Sequence, residues 1–135
     1  MNLESVRIIG IPTHEDERGI LSSIEENIDI PFNIKRIFYI YNIKANRGKH
    51  ALKDTDEVLI PLAGRFVVNV SDKNNTKEFI MDTPSRALFV PRLIFMEITK
   101  FSGDAVCLVL ANRQHDLEQY LKTKEEYIKY VENLK

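Results

Sequence analysis

A succession of short apolar segments, each ended by turn-forming residues, most constrains what this chain can fold into. The segments are rich in Ile, Val, Phe and Tyr and are short enough to be β-strands. Many short strands at this spacing are typical of an all-β sandwich or barrel. The polar run 72–76, which lies between two of them, suits a hairpin turn because Asn and Asp tolerate a left-handed backbone. The segments are VRIIGIPT, GILSSIEE, KRIFYIYNI, EVLIPLAG, RFVVNVSD, KEFIMD, ALFVPRLI, FMEITKF and AVCLVLAN.

The C-terminal segment has a different pattern. From Asp116 onward, apolar residues recur at roughly helical spacing, which predicts one amphipathic helix over about 116–133. The carboxylate of Asp116 is positioned to cap the first turn. At 135 residues, 44% of them apolar, the chain has room for one domain with a modest core. We therefore predict a single domain over 1–135, with the β-structure over about 5–112.

Charge and cysteine content exclude several classes of protein. The 19 basic and 20 acidic side chains give a formal net charge of −1, so no overall field attracts nucleic acid or an anionic membrane. No apolar run approaches the ~18 to 20 residues of a membrane span. The single cysteine, Cys107, fits a reducing cytoplasm. The sequence also has no Gly-rich phosphate loop and no Ser nucleophile elbow.

The stretch RGKHALKDTDEVLIPLAG, residues 47–64, has the spacing of a known motif. It resembles the first motif of the cupins, small antiparallel jelly-roll barrels, which consists of a Gly, a His-x-His pair, a Glu and a second Gly. Positions 50 and 52 of a strand share a face, so cupins can use two histidines there as adjacent metal ligands. Leucine donates no electron pair and a thioether is a soft ligand, so we predict no metal site and no metal cofactor. The matching residues are Gly48, His50, Leu52, Glu57 and Gly64, and Met96 stands at the histidine of the second motif.

Further matching pieces extend over almost the whole chain: DERG (16–19), IPFNIKRIFYIY (30–41), RGKHALK, LIPLAG, FSGDAVCLVLAN, EQYL and EEYIKYV. In this order and spacing, the sequence is similar to the WxcM-like cupins, sugar 3,4-ketoisomerases that act on dTDP-4-keto-6-deoxyglucose. The resemblance implies a cupin-type antiparallel jelly-roll barrel, a nucleotide-linked keto sugar as substrate, and no cofactor. It also implies a cytoplasmic homodimer that exchanges early strands and acts in deoxysugar and polysaccharide biosynthesis.

The resemblance implies acid–base chemistry carried by histidine. Moving a ketone from C4 to C3 needs a base for the C3 proton, an acid that returns a proton at C4, and a group that shifts the hydroxyl proton. His50 matches the first of two family histidines, and imidazole exchanges protons near neutral pH. Leu52 replaces the second. The Tyr39 hydroxyl or the Glu57 carboxylate would then act as the relay.

Substrate binding is expected from side chains that grip phosphate locally. Guanidinium groups bind adjacent phosphates in bidentate fashion, so Arg47, Arg36 and Arg18 are candidates, although a solvated arginine is the default interpretation. Glu97 joins them because the resemblance retains it, beside Met96, which replaces another family histidine.

Leu52 leaves three functional hypotheses open. If His50 and one relay suffice, ketoisomerase activity is retained. If two histidines are needed, the chain is a noncatalytic sugar-nucleotide-binding protein. A shifted substrate or reaction, such as epimerisation beside a ketone, is the third, because a single base can begin it. His14 and His115 lie at segment edges and are interpreted as exposed polar residues.

Overall fold

The computed structural model describes residues 2–134. These residues form twelve strands and one α-helix, together with two short 3₁₀ turns. The elements are β1 (Arg7–Gly10), β2 (Thr13–Asp16), β3 (Gly19–Ser22), β4 (Arg36–Ile40), β5 (Arg47–Leu52), β6 (Glu57–Ala63), β7 (Phe66–Ser71), β8 (Thr76–Met81), β9 (Arg86–Val90), β10 (Phe95–Thr99), β11 (Val106–Ala111), β12 (Tyr120–Leu121) and α1 (Lys124–Glu132).

Two five-stranded antiparallel sheets face each other across the main core. The first has the order β1-β9-β6-β11-β4 and the second the order β12-β5-β10-β7-β8. Alternating side chains of both sheets point inward, as expected for strands with period 2. The predicted jelly-roll architecture is confirmed, with the two sheets as its halves. Buried residues of this core include Leu59, Phe66, Val68, Val70, Leu88, Ile98, Cys107 and Val109.

Separate apolar layers cover the outer faces of the two sheets. On the first sheet, Ile30 and Phe32 from the irregular segment before β4 pack on Val58 and Ile60 of β6. On the second, α1 packs its buried Tyr127 with Phe95 of β10. The β2–β3 hairpin pairs with no other strand among residues 2–134, and all eight of its strand residues are exposed.

The predicted C-terminal helix over 116–133 is wrong in its first half. Asp116 caps a first turn as expected, but this turn is a short 3₁₀ turn over Leu117–Gln119. The chain then forms β12, which pairs with the end of β5, and the α-helix begins only at Lys124. Hydrogen bonds to the neighbouring strand override the local helical periodicity in this segment. No helix within residues 2–134 combines the length and apolar character required to cross a membrane.

Candidate active site

A cavity of about 480 Å³ lies between the two sheets. Strands β4, β6 and β11 line one side, strands β5 and β10 line the other, and the segment before β12 closes part of the rim. The lining combines an apolar floor with a group of polar side chains, three of them exposed at the mouth. The polar members are Arg36, Asn46, Arg47, His50, Glu57, His115 and Tyr120.

A bulge in β5 brings two of the expected residues to the cavity. Gly48 pairs with Glu97 and His50 with Met96, so Lys49 has no partner in the register with β10. Gly48 and Lys49 both have a positive φ, 82° and 63°. Side chains three apart on a regular strand point to opposite faces, whereas this extra residue lets Arg47 and His50 share one. A Cβ at Gly48 would lie 3.2 Å from the Met96 carbonyl oxygen, which favours glycine there.

His50 is half-buried against the Tyr120 ring, edge to face, with 4.9 Å between ring centroids. Burial lowers the pKa of His50, and a hydrogen bond with the Gly48 backbone partly opposes this shift. Desolvation disfavours the charged imidazolium. More of the imidazole is therefore neutral near pH 7, the form that can accept a proton from carbon.

Glu57, at the start of β6, has only 5% of its surface exposed. Burial raises the pKa of its carboxyl group to about 7, while the positive charge of Arg36 acts in the opposite direction. The carboxyl group therefore exists in both protonation states near neutral pH, as a proton relay requires. Arg36 lies over the Phe38 ring, with its guanidinium carbon 4.3 Å from the centroid.

Three of the predicted site residues lie outside this cavity. Tyr39 is on the opposite face of β4, 61% exposed, and stacks on Tyr41. Glu97 lies between two cavity-lining residues of β10, so it points to the other face of the sheet. Arg18 is in the turn of the β2–β3 hairpin and pairs with Asp16 at 2.7 Å. Within residues 2–134 of one chain, Tyr39, Glu97 and Arg18 therefore lie away from the cavity, and their contribution to the site stays a prediction.

Three polar cavity residues, Asn46, His115 and Tyr120, were missed by the sequence interpretation. His115 was interpreted as merely exposed, and it is exposed, but it also lines the cavity. Tyr120 falls within the predicted helix, where its spacing indicates packing. It instead pairs with Leu52 across β12 and β5. No local sequence signal indicates that this segment returns to the His50 strand.

The donor set around His50 does not fit a metal ion of the cupin type. Leu52 is buried and carries no donor atom, and Met96 presents a thioether to the cavity. Throughout the part of the chain that is described, no three His, Cys, Asp or Glu side chains are grouped so that they could hold a metal ion.

Comparison with known proteins identifies the family. The model of the family described as "FdtA: WxcM-like, C-terminal" matches residues 4–132. The chain belongs to this family. It is 37% identical over 127 residues to the TDP-4-oxo-6-deoxy-alpha-D-glucose-3,4-oxoisomerase of Aneurinibacillus thermoaerophilus, covering 93% of this chain and 91% of that protein.

Solved structures of similar enzymes share the fold. A 3,4-ketoisomerase from Helicobacter canadensis is 34% identical with a TM-score of 0.92, over 95% of this chain and 98% of that one. A sugar 3,4-ketoisomerase from Thermoanaerobacterium thermosaccharolyticum, in complex with TDP, is 32% identical with a TM-score of 0.93, over 97% of each chain. The resemblance to WxcM-like ketoisomerases is thereby confirmed.

Proposed function

We propose that this protein is a TDP-4-keto-6-deoxyglucose 3,4-ketoisomerase. The observation that carries the proposal is the cavity in which neutral His50 and the buried Glu57 lie below a mouth containing arginine. Membership of a family whose similar members are 3,4-ketoisomerases supports it over a noncatalytic binding role.

His50 is the group that moves the carbon-bound proton. It removes the proton at C3, the bonding electrons form a C3=C4 double bond, and the C4 oxygen is protonated to give an enediol. His50 then delivers a proton to C4 while the O3 hydroxyl proton is lost and the C3 ketone forms. Substrate and product are isomers, so the reaction needs no net oxidant or reductant.

Glu57 supplies the proton at the substrate oxygen. In its neutral form the carboxyl group is an acid that burial shields from solvent, so it can pass its proton to the C4 oxygen of a bound substrate. The replacement of the second family histidine by Leu52 therefore does not leave His50 without an acid–base partner. Of the two relays expected from the sequence, Glu57 lies in the cavity with His50 and Tyr39 does not.

The nucleotide diphosphate binds at the mouth of the cavity. Arg47 and Asn46 are exposed there, and the half-buried Arg36 adds a second guanidinium group to the cavity lining. Charge-assisted hydrogen bonds from arginine to phosphate are among the stronger polar contacts. With a formal net charge of −1, the protein depends on such local groups to hold an anion.

The functional unit is a homodimer in which the β2–β3 hairpin reaches the neighbouring subunit. In one chain the hairpin is exposed and unpaired by other strands, and Ile20 and Leu21 are 66% and 61% exposed. Apolar side chains on a projecting hairpin favour burial against a partner. In the same arrangement Arg18 reaches toward the partner's cavity. Its predicted contribution to substrate binding then depends on the strand exchange that the resemblance implies.

The proposed place of action is the cytoplasm, in deoxysugar biosynthesis leading to polysaccharide. In this proposal a dehydratase supplies the 4-keto sugar as substrate, and an aminotransferase consumes the 3-keto product. Support comes from the sequence resemblance and from the single cysteine, which is buried and free.

Incubation with TDP-4-keto-6-deoxyglucose in D₂O, followed by NMR, tests the proposed activity. We expect loss of the C3 proton signal and accumulation of the 3-keto isomer. Binding without C3 exchange or product would instead indicate a noncatalytic sugar-nucleotide-binding protein, and exchange at C5 alone would indicate an epimerase.

A further inference from the structure

The Tyr120 ring contacts two imidazoles that line the cavity. It contacts His50 edge to face, and the His115 ring centroid is 5.7 Å from the Tyr120 centroid, also edge to face. The Tyr120 hydroxyl is 3.4 Å from Nδ1 of His115. This distance is long for a hydrogen bond, but catalytic hydrogen bonds in ligand-free enzymes are often long. All three side chains line the same cavity.

The segment that carries His115 and Tyr120 is fastened firmly to the loop before β6. The side-chain oxygen of Gln119 accepts a hydrogen bond from the backbone amide of Asp54 at 2.8 Å. Its backbone carbonyl accepts another from the backbone amide of Lys53 at 2.9 Å. Asn112 accepts from the Asp56 amide at 2.8 Å. Arg113 forms an ion pair with Asp54. These contacts on both sides of residue 115 hold the segment against the cavity.

Strand pairing brings this segment next to Leu52. Residues 52 and 120 are direct partners between β5 and β12. A small hollow beside the main cavity is lined jointly by Leu52, Glu57, His115 and Tyr120. Leu52, which stands where the resemblance expects a second histidine, therefore adjoins the imidazole of His115 in the C-terminal segment.

The proposed reaction requires proton transfer at two oxygens as well as at carbon. When the C4 oxygen gains a proton, the O3 hydroxyl must lose one. His50 serves the carbons, and Glu57 as an acid serves the C4 oxygen. The O3 proton still needs an acceptor.

We propose that His115, acting through the Tyr120 hydroxyl, accepts the O3 proton and so replaces the missing family histidine; this rests on the proposed ketoisomerase function. Tyr120 gives its hydroxyl proton to Nδ1 of His115 as its oxygen takes the proton from O3. The electron pair of the broken O3–H bond then forms the C3 carbonyl while C4 is protonated by His50. After turnover, His115 returns its extra proton through water to the ionised Glu57, which resets both groups.

The test compares two rates measured in D₂O with TDP-4-keto-6-deoxyglucose: C3 proton exchange and formation of the 3-keto product. Forming the enediol needs His50 and Glu57, whereas completing the reaction also needs the O3 acceptor. In His115→Phe and His115→Gln, we expect kcat for product to fall by about 10²-fold while C3 exchange persists, so the ratio of exchange to product rises. The glutamine variant retains a hydrogen-bonding side chain without the acid–base function.

Tyr120→Phe should give the same altered ratio, and the double variant with His115→Phe should lose no more than either single one, because the two groups act as a unit. Tyr130→Phe, on α1 and outside the cavity lining, is the matched control and should leave both rates unchanged. Exchange and product falling in parallel, or unchanged rates, would overturn the role of His115. A parent protein without exchange or product would instead reject the proposed function itself.

Discussion

At the scale of single residues, His50 is the side chain on which the proposed reaction depends most. Replacing it with Asn removes the acid–base function and keeps a polar group at the edge of Tyr120. We expect His50→Asn to lower both C3 exchange and product formation by about 10²- to 10⁴-fold, measured by NMR. Titration calorimetry with TDP should show unchanged affinity, because Arg47 and Arg36 remain. Exchange at the parent rate would mean that another group is the base.

Glu57 makes stability depend on pH. Its folded pKa of about 7 lies above its usual value of 4.5, so the folded protein binds the proton more tightly than the unfolded chain. The free energy of unfolding therefore decreases as pH rises from about 4.5 to 7, by about 3 kcal/mol at about 1.4 kcal/mol per pKa unit. Glu57→Gln should remove this decrease, as measured by urea denaturation at pH 5 and pH 8. An equal pH dependence in parent and variant would contradict it.

Leu52→His tests whether position 52 and His115 fill the same role. Because residue 52 pairs with Tyr120 and adjoins the cavity, an imidazole there could take the O3 proton. In the His115→Phe background, we expect Leu52→His to recover much of the lost product formation, measured by NMR. In the parent it should change the rate little. Thermal melting of each variant checks the fold, and failure to recover activity in a folded protein would contradict this interpretation.

Four of the residues predicted from the sequence line the cavity. His50 and Glu57 follow from a motif, and Arg36 and Arg47 from their chemistry and position. The alternation of β4 indicates that Arg36 and Phe38 share a face opposite Tyr39, but not which face points inward. His115 could not be found, because its contact with the cavity depends on pairing between strands far apart in the sequence.

At the scale of secondary-structure elements, strands were predicted better than the C-terminal segment. Alternating apolar residues in segments such as RFVVNVSD specify a strand through burial of one face, and β7 (Phe66–Ser71) forms there. After Asp116 the apolar residues recur at helical spacing, but this local preference for a helix is outweighed by hydrogen bonds to β5 and the loop after it. The Lys53 amide bonds to the Gln119 carbonyl and residue 121 pairs with 51, which converts this part of the predicted helix into a 3₁₀ turn and β12.

Gln119 fixes this element, so its replacement should affect both stability and catalysis. Gln119→Ala leaves the part-buried Asp54 amide and Thr55 hydroxyl without their acceptor. We expect a loss of about 1 to 3 kcal/mol in the free energy of unfolding, measured by urea denaturation, and slower product formation as His115 and Tyr120 shift. Gln114→Ala, on an exposed neighbouring residue, is the control and should be near neutral. Full activity in Gln119→Ala would show that the segment's position is fixed by other contacts.

At the scale of the whole molecule, the β2–β3 hairpin pairs with no other strand of its own subunit within residues 2–134. A hairpin of this size has little stability alone, because it buries almost no apolar surface. If it docks on a second subunit, each active site takes His50 and Glu57 from one chain and the partner's Arg18. A chain that lacks a functional His50 and a chain that lacks Arg18 should then complement each other in a mixed dimer.

Mixing His50→Asn chains with Arg18→Ala chains tests this arrangement. Each homodimer should be nearly inactive, but in a mixed dimer the site on the Arg18→Ala chain has its own His50 and the partner's intact Arg18. Random reassociation after refolding together makes half of the dimers mixed, with one intact site of two, so about a quarter of parent activity should return. Mixing His50→Asn with Glu57→Gln is the matched control: both defects lie in the same chain's cavity, so no combination restores a site. Recovery in neither mixture, with dimers confirmed by light scattering, would show that Arg18 does not act across the interface.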